Sequence, residues 1–319
     1  LYSLWTNYCV SESYEPGSTF KPVTVASALE EGVVKDGDTY VCKGFETVAD
    51  YKLKCHVFST IGSHGSLTVE QALMNSCNPY MIHLALEMGN SRFAYYQSLF
   101  GFGKITGIDL PGETTGIVYG DRMTTIDAAC NSFGQTINVN MMQMMAAYCS
   151  IINGGMLYQP HIVKRIESAN GEVVKEYKAN LVRQTITAST SKLLRRYLKN
   201  TVEEGTAKKA GVTGYSVAGK TGTAQKGDRK DNKWIISFIG HAPAENPKFA
   251  IYVVIDEPYG TTGTSGSSAD VLTLTHNILE KLLPYMNVYK DASDEYEDTS
   301  SSPDELTVDG IPAGTASSN

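Results

Sequence analysis

Residues 15–32 run Glu15-Pro16-Gly17-Ser18-Thr19-Phe20-Lys21-Pro22, then Val23-Thr24-Val25-Ala26-Ser27-Ala28-Leu29-Glu30-Glu31-Gly32. Pro16-Gly17 is a break. The apolar positions after it, Phe20, Val23, Val25, Ala26, Ala28 and Leu29, predict a helix over 18–31 that stops at Glu31-Gly32. Pro22 falls in the first turn, where a missing N–H is tolerated. Ser18 and Lys21 are three apart and share a helix face. A serine hydroxyl is a weak nucleophile and needs a base within hydrogen-bond reach. Lysine can be that base when burial depresses its pKa. The helix N-terminus also brings N–H groups and partial positive charge to where an oxyanion would form.

Moving outward, residues 39–58 alternate weakly and predict a hairpin, 40–44 against 52–57. Thr68 or Ser66 caps a helix over 69–74. The chain breaks at Asn75-Ser76-Cys77-Asn78-Pro79, and helices over 80–88 and 91–101 follow. Residues 102–120 read as a Gly- and Pro-rich loop, and 139–152 as an apolar helix whose methionines are core filler. Asn170-Gly171 between 162–167 and 172–177 is a strong hairpin signal. A capped helix over 189–204 precedes three strands, 215–225, 234–240 and 249–256, and a closing helix over about 268–285. Helices, then antiparallel strands, then a helix read as mixed α and β.

Two further patterns carry chemistry. Ser76 and Asn78 lie two apart in a loop between helices, so a hydroxyl and an amide can face one cleft. Lys220-Thr221-Gly222-Thr223 lies on a predicted strand, where a lysine and two hydroxyls suit a carboxylate-bearing substrate and Gly222 lets a ligand backbone come close. Each pattern is weak alone. Ser189-Thr190-Ser191-Lys192 also fits S-x-x-K and reads as a helix N-cap; Ser317-Ser318-Asn319 also fits S-x-N, in the tail. What singles out the set is its order: S-x-x-K, S-x-N, then K-T-G.

The formal net charge is −7. Residues 288–319 hold eight acidic residues and one basic, which leaves 26 of each for the body. A near-neutral body without a basic stripe argues against nucleic acid as a partner. Residues 288–319 read as an acidic, Ser/Thr-rich disordered tail or linker, and 1–287 as the domain. No apolar run is long enough to span a bilayer, and the chain reads as a fragment of a longer protein. The six cysteines (Cys9, Cys42, Cys55, Cys77, Cys130 and Cys149) form no C-x-x-C pair and have no histidine at familiar zinc-ligand spacing, so no metal site is predicted.

The ordered set Ser18/Lys21, Ser76/Asn78 and Lys220-Thr221-Gly222 resembles the active-site motifs of penicillin-binding proteins and serine β-lactamases. The Leu282-Leu283-Pro284-Tyr285 ending and the acidic linker resemble division- or sporulation-type members, and residues 15–22 resemble the nucleophile segment of class B, monofunctional penicillin-binding proteins. So do His64-Gly65-Ser66-Leu67-Thr68, the segment from Phe102-Gly103 to Pro111-Gly112-Glu113, Ser132-Phe133-Gly134-Gln135, and Ala218-Gly219 leading into Lys220. The likeness runs over roughly 14–285. It implies the α/β (α+β) transpeptidase fold: an antiparallel sheet flanked by helices, with an all-α region. It also implies that sheet strands N-terminal to the nucleophile are missing from this piece.

The resemblance implies a peptidoglycan D,D-transpeptidase. Ser18 attacks the D-Ala-D-Ala bond and Lys21 is the general base. Ser76 and Lys220 pass a proton to the leaving amine, and Asn78 holds the substrate backbone. Thr221 and Thr223 bind the terminal carboxylate, with Gly222 beside them. The backbone N–H groups of Ser18 and Thr223 form the oxyanion hole. It implies no metal or organic cofactor. It implies stem peptides, β-lactams and a membrane glycosyltransferase as partners, at the outer face of the bacterial membrane. Alternatives on the same fold are a β-lactam sensor, a D,D-carboxypeptidase and a β-lactamase. An oxidising compartment further predicts a disulfide between Cys55 and Cys77 or Cys42.

Overall fold

The computed structural model describes residues 5–227, 233–258 and 267–292. A short α1 (Tyr8–Ser11) leads to a tight 3-10 turn, Gly17–Phe20, that runs directly into α2 (Lys21–Glu31). The predicted helix is therefore split, and Ser18 sits in the turn. Gly32 ends α2 in the left-handed conformation (φ 76°) that glycine adopts without penalty.

Strands β1 (Thr39–Cys42), β2 (Phe45–Val48), β3 (Tyr51–Lys54) and β4 (Gly65–Thr68) follow. The expected hairpin is corrected here. β2 pairs with β3 around Ala49-Asp50, while β1 pairs with the distant β4. The close Ala49-Asp50 connection sets the first pairing, and β1 is left free to take a partner that local alternation does not reveal.

Next come α3 (Val69–Met74), α4 (Asn78–Met88) and α5 (Asn90–Leu99). Thr68 caps α3 in a capping box with Gln71, which explains the start of that helix. A further capping box, Thr124 with Asp127, starts α6 (Thr125–Asn131), a helix that apolar periodicity missed. Then come α7 (Met141–Ile152), β5 (Met156–Gln159), β6 (Arg165–Glu167), β7 (Val173–Glu176) and β8 (Asn180–Gln184). β6 and β7 form the Asn170-Gly171 hairpin, and β5 pairs with β8. In α8 (Ala188–Glu203) the cap is Thr187, one position outside the helix, and not Ser189.

The three predicted strands are β9 (Ala218–Lys226), β10 (Lys233–Ala242) and β11 (Phe249–Asp256). They form one antiparallel sheet in the order β11-β10-β9. α9 (Ala269–Tyr285) packs behind β10 and β11. One apolar cluster fills the space among α2, α4, α7 and α8, and a second lies under α9. The nucleophile turn lies between the helical cluster and β9. Val288 is buried and Asp291 accepts bonds from the Ser216 N–H and hydroxyl, so packing continues to Asp291. Residues 293–319, which include Ser317-Ser318-Asn319, lie outside the described residues.

Candidate active site

The turn that carries Ser18 is clamped on two sides. Gly17 N–H donates to the Gly134 carbonyl at 3.0 Å. A Cβ on Gly17, whose φ is +56°, would lie 2.7 Å from the Thr223 carbonyl oxygen. The Tyr14 and Val139 backbones bond each other at 3.1 and 3.0 Å, and Thr24 Oγ1 donates to the Ser132 carbonyl at 2.8 Å. The 132–135 loop and β9 thus hold the turn at close range, which only a glycine at 17 permits. The same contact sets the Thr223 backbone beside the Gly17-Ser18 peptide.

Lys21 begins α2 and is 0% exposed. Its Nζ donates to the Ser76 carbonyl at 2.6 Å, Ser76 Oγ at 3.0 Å and Asn78 Oδ1 at 2.7 Å. Ser76 Oγ in turn donates to Ser18 Oγ at 3.0 Å. These bonds form a relay: Ser18 hydroxyl, Ser76 hydroxyl, Lys21 amine. Burial lowers the Lys21 pKa to about 8, against an opposing pull from the Cys55 and Cys77 thiols. Three acceptors meet the buried amine, so its polar hydrogens are satisfied without water.

Ser76 reaches this place because the break between α3 and α4 bends back, with Ser76 in the left-handed region at φ +56°. Cys77 precedes α4, and Asn78 and Pro79 are its first residues. Asn78 Nδ2 also donates to the Lys54 carbonyl on β3 at 3.4 Å. The backbone strain at Ser76 buys the approach of its hydroxyl to both Ser18 and Lys21.

Lys220 on β9 is also 0% exposed. Its Nζ donates to the Thr221 carbonyl at 3.2 Å and Thr221 Oγ1 at 3.3 Å. Burial, then the charge of Lys21, drives its pKa well below the usual lysine value. Two lysines near each other in a buried cleft cannot both be cationic at low cost. Thr221 Oγ1 lies 3.3 Å from Thr206 Oγ1, a neighbour that the sequence did not suggest. Gly222 plays another part than expected. A Cβ there would meet Thr19 Cγ2 at 2.8 Å and the Ser237 hydroxyl, so this glycine makes room for the protein's own nucleophile turn.

The glycine-rich segment is tied by Glu113, whose carboxylate accepts from the Thr106 N–H at 2.7 Å and the Gly107 N–H at 3.0 Å. A cavity of about 360 Å³ lies past Thr223 at the far end of β9, lined by Ala224, Gln225, Gln135, Tyr8 and Asp256 among others. Ser18 does not line it.

The second S-x-x-K ends elsewhere. Ser189 and Lys192 are exposed on the first turn of α8.

A profile described as the penicillin binding protein transpeptidase domain matches residues 2–280. This chain belongs to the penicillin-binding-protein transpeptidase family. Stage V sporulation protein D of Bacillus subtilis (strain 168) is 41% identical over 288 residues, 88% of this chain and 44% of that protein. Peptidoglycan D,D-transpeptidase FtsI of Escherichia coli (strain K12) is 32% identical over 292 residues, 90% of this chain and 46% of that protein. The chain therefore spans about half the length of these curated relatives. Penicillin binding protein 3 from Mycobacterium tuberculosis, solved in complex with ampicillin, superposes with a TM-score of 0.80 at 28% identity. That match covers 91% of this chain and 66% of the solved one. The relatives are of the class B type, as the sequence motifs imply, and the fold is theirs.

Sequence reasoning missed one group of residues. Cys42, Cys55, Cys77 and His64 converge beside the Ser76–Asn78 segment, and all six cysteines are free thiols. The expected Cys55 disulfide is therefore not formed in the structure. Cys42 ends β1, Cys55 and His64 lie at opposite ends of the β3–β4 connection and Cys77 sits in the α3–α4 break, so no short spacing announces them.

Proposed function

We propose that this chain is the catalytic domain of a peptidoglycan D,D-transpeptidase that works through an acyl-enzyme on Ser18. The observation that carries the reading is the relay from Ser18 through Ser76 to a fully buried, multiply bonded Lys21. A neutral Lys21 takes the Ser18 proton through the Ser76 hydroxyl as Ser18 attacks the carbonyl of a D-Ala-D-Ala bond. The Ser18 and Thr223 N–H groups hold the oxyanion, and the closeness of the Thr223 backbone to Gly17 supports that role. The proton returns through Ser76, with Lys220 nearby, to the leaving D-Ala amine. Asn78 orients the stem peptide, and Thr221 and Thr223 take its carboxylate. An amine of a second stem peptide then accepts the acyl group. β-Lactams present a strained amide to the same serine and remain attached.

No helix among the described residues is long and apolar enough to cross a membrane. The outer face of the bacterial membrane as the place of action, a glycosyltransferase as the partner, a domain over residues 1–287 whose packing reaches on to Asp291, and a linker after it all belong to this proposal.

The test supplies a stem pentapeptide and an amine acceptor. Release of D-Ala with formation of the acceptor adduct, both absent in Ser18→Ala, is the expected result. Release of D-Ala with hydrolysis alone would make the domain a carboxypeptidase, and rapid turnover of penicillin would make it a β-lactamase.

A further inference from the structure

Four side chains beside the relay have no part in it. Cys42 ends β1, Cys55 follows β3, His64 precedes β4 and Cys77 precedes α4. Their three sulfurs and a ring nitrogen of His64 all lie within 4.8 Å of one another. His64 Nδ1 is 3.5 Å from Cys55 Sγ and 3.8 Å from Cys42 Sγ. A tetrahedral zinc ion, with bonds of about 2.3 Å to sulfur and about 2.0 Å to nitrogen, sets its ligand atoms roughly 3.5–3.8 Å apart. Two of the contacts already have that spacing.

Backbone N–H groups face each of the three sulfurs. The Gly44 N–H donates to Cys42 Sγ at 3.4 Å. The N–H groups of Asn78 and Val57 serve Cys55, and that of Tyr80 serves Cys77. Such outer contacts orient thiolate ligands and favour the metal-bound form. All three cysteines are buried and His64 is half-buried. A disulfide on Cys55 would use two sulfurs and leave the third, with His64, without a role. Three thiolates and an imidazole are a structural zinc set, with no position left open for a substrate.

We propose that Cys42, Cys55, Cys77 and His64 bind one zinc ion, and that this ion fixes the segment carrying Ser76 and Asn78. Residues 39–68 need such a tie. β3 is largely exposed and β2 fully buries only Val48, and small regions with little core depend on metals or disulfides. Cys77 is the one ligand that lies inside the catalytic segment. Its bond to the ion would hold Ser76 in its strained backbone conformation and Asn78 toward Lys21. Zinc binding itself does not depend on the acyl-enzyme reading; the positioning role does.

The test uses the full chain, purified with reductant and measured for metal content. About one zinc per chain is expected. Cobalt(II) put in its place should give the intense visible bands of a tetrahedral thiolate site. Cys42→Ser and Cys55→Ser should each lower zinc retention at least about tenfold against a competing chelator. Chelation should slow β-lactam acylation about ten- to hundredfold, and added zinc should restore it. The cobalt spectrum is read on the unaltered chain, so a variant that fails to fold does not decide the matter. A folded, reduced chain that shows six reactive thiols in equimolar zinc, and no cobalt bands, overturns the site. So does a Cys55 disulfide that forms in preference to zinc binding. Zinc binding with acylation indifferent to it overturns the positioning role. A zinc-loaded, folded chain that is never acylated strikes the Ser18 reading and leaves the metal site standing.

Discussion

The chain writes Ser-x-x-Lys twice, at Ser18–Lys21 and at Ser189–Lys192, and the two stretches end in opposite surroundings. At the first, a Pro-Gly turn wedged between β9 and the 132–135 loop delivers the serine to a cleft, and the lysine is buried among three acceptors. At the second, Thr187 caps α8, the Ser189 hydroxyl lies 2.9 Å from Thr187 Oγ1, and Lys192 stays exposed. The pair teaches that the four-residue pattern supplies spacing only. Burial, and a second hydroxyl to bridge the gap, turn spacing into a nucleophile and its base.

Removing the base should open the widest gap between the two sites. Lys21→Ala should slow penicillin acylation by about 10²- to 10⁴-fold, the usual worth of a positioned general base. Lys192→Ala should leave the rate unchanged and stability within about 0.5 kcal/mol. A Lys21→Ala rate near that of the unaltered chain, measured by stopped-flow, would break the contrast.

The pH profile comes next in size. Lys21 must be neutral to accept a proton, and burial sets its pKa at about 8. The acylation rate should therefore rise about tenfold per pH unit below pH 8 and level off above it. The groups that face this amine are Lys220 on β9, Cys55 after β3, Cys77 before α4 and His56. A rate flat from pH 6 to pH 9 would contradict a lysine base.

Gly222→Ala probes the packing that makes the first site. The new methyl meets Thr19 Cγ2 and Ser237 Oγ, so a loss of about 1–3 kcal/mol in unfolding free energy is expected, with slower acylation as the nucleophile turn shifts. The smallest effect belongs to the second site. Thr187→Ala removes the cap of α8 and should cost about 1 kcal/mol in denaturant unfolding while acylation holds.

Much of this was legible before any coordinates. Apolar periodicity found α2, α7, α8 and the three strands of the sheet, because each is long and its pattern is local. The ordered motifs named Ser18, Lys21, Ser76, Asn78 and Lys220; the structure joins the first four by hydrogen bonds and leaves Lys220 near enough to feel the charge of Lys21. Four things escaped. The β1–β4 pairing depends on residues that are distant in the chain, and alternation over four residues cannot choose between partners. α6 is short and announced itself only by the Thr124–Asp127 box. The thiol cluster draws its members from the end of β1, both ends of the β3–β4 connection and the α3–α4 break, so proximity there is created by the fold alone. Gly222 was read as an opening for a ligand, and sequence carries no sign that the protein's own turn fills that space.

Peptide mapping after incubation with benzylpenicillin, on the unaltered chain and on Ser18→Ala and Ser189→Ala, tests the central claim most directly. A persistent adduct on the peptide holding Ser18, lost in Ser18→Ala and intact in Ser189→Ala, is the result this account predicts. An adduct that survives Ser18→Ala in a folded chain would contradict it.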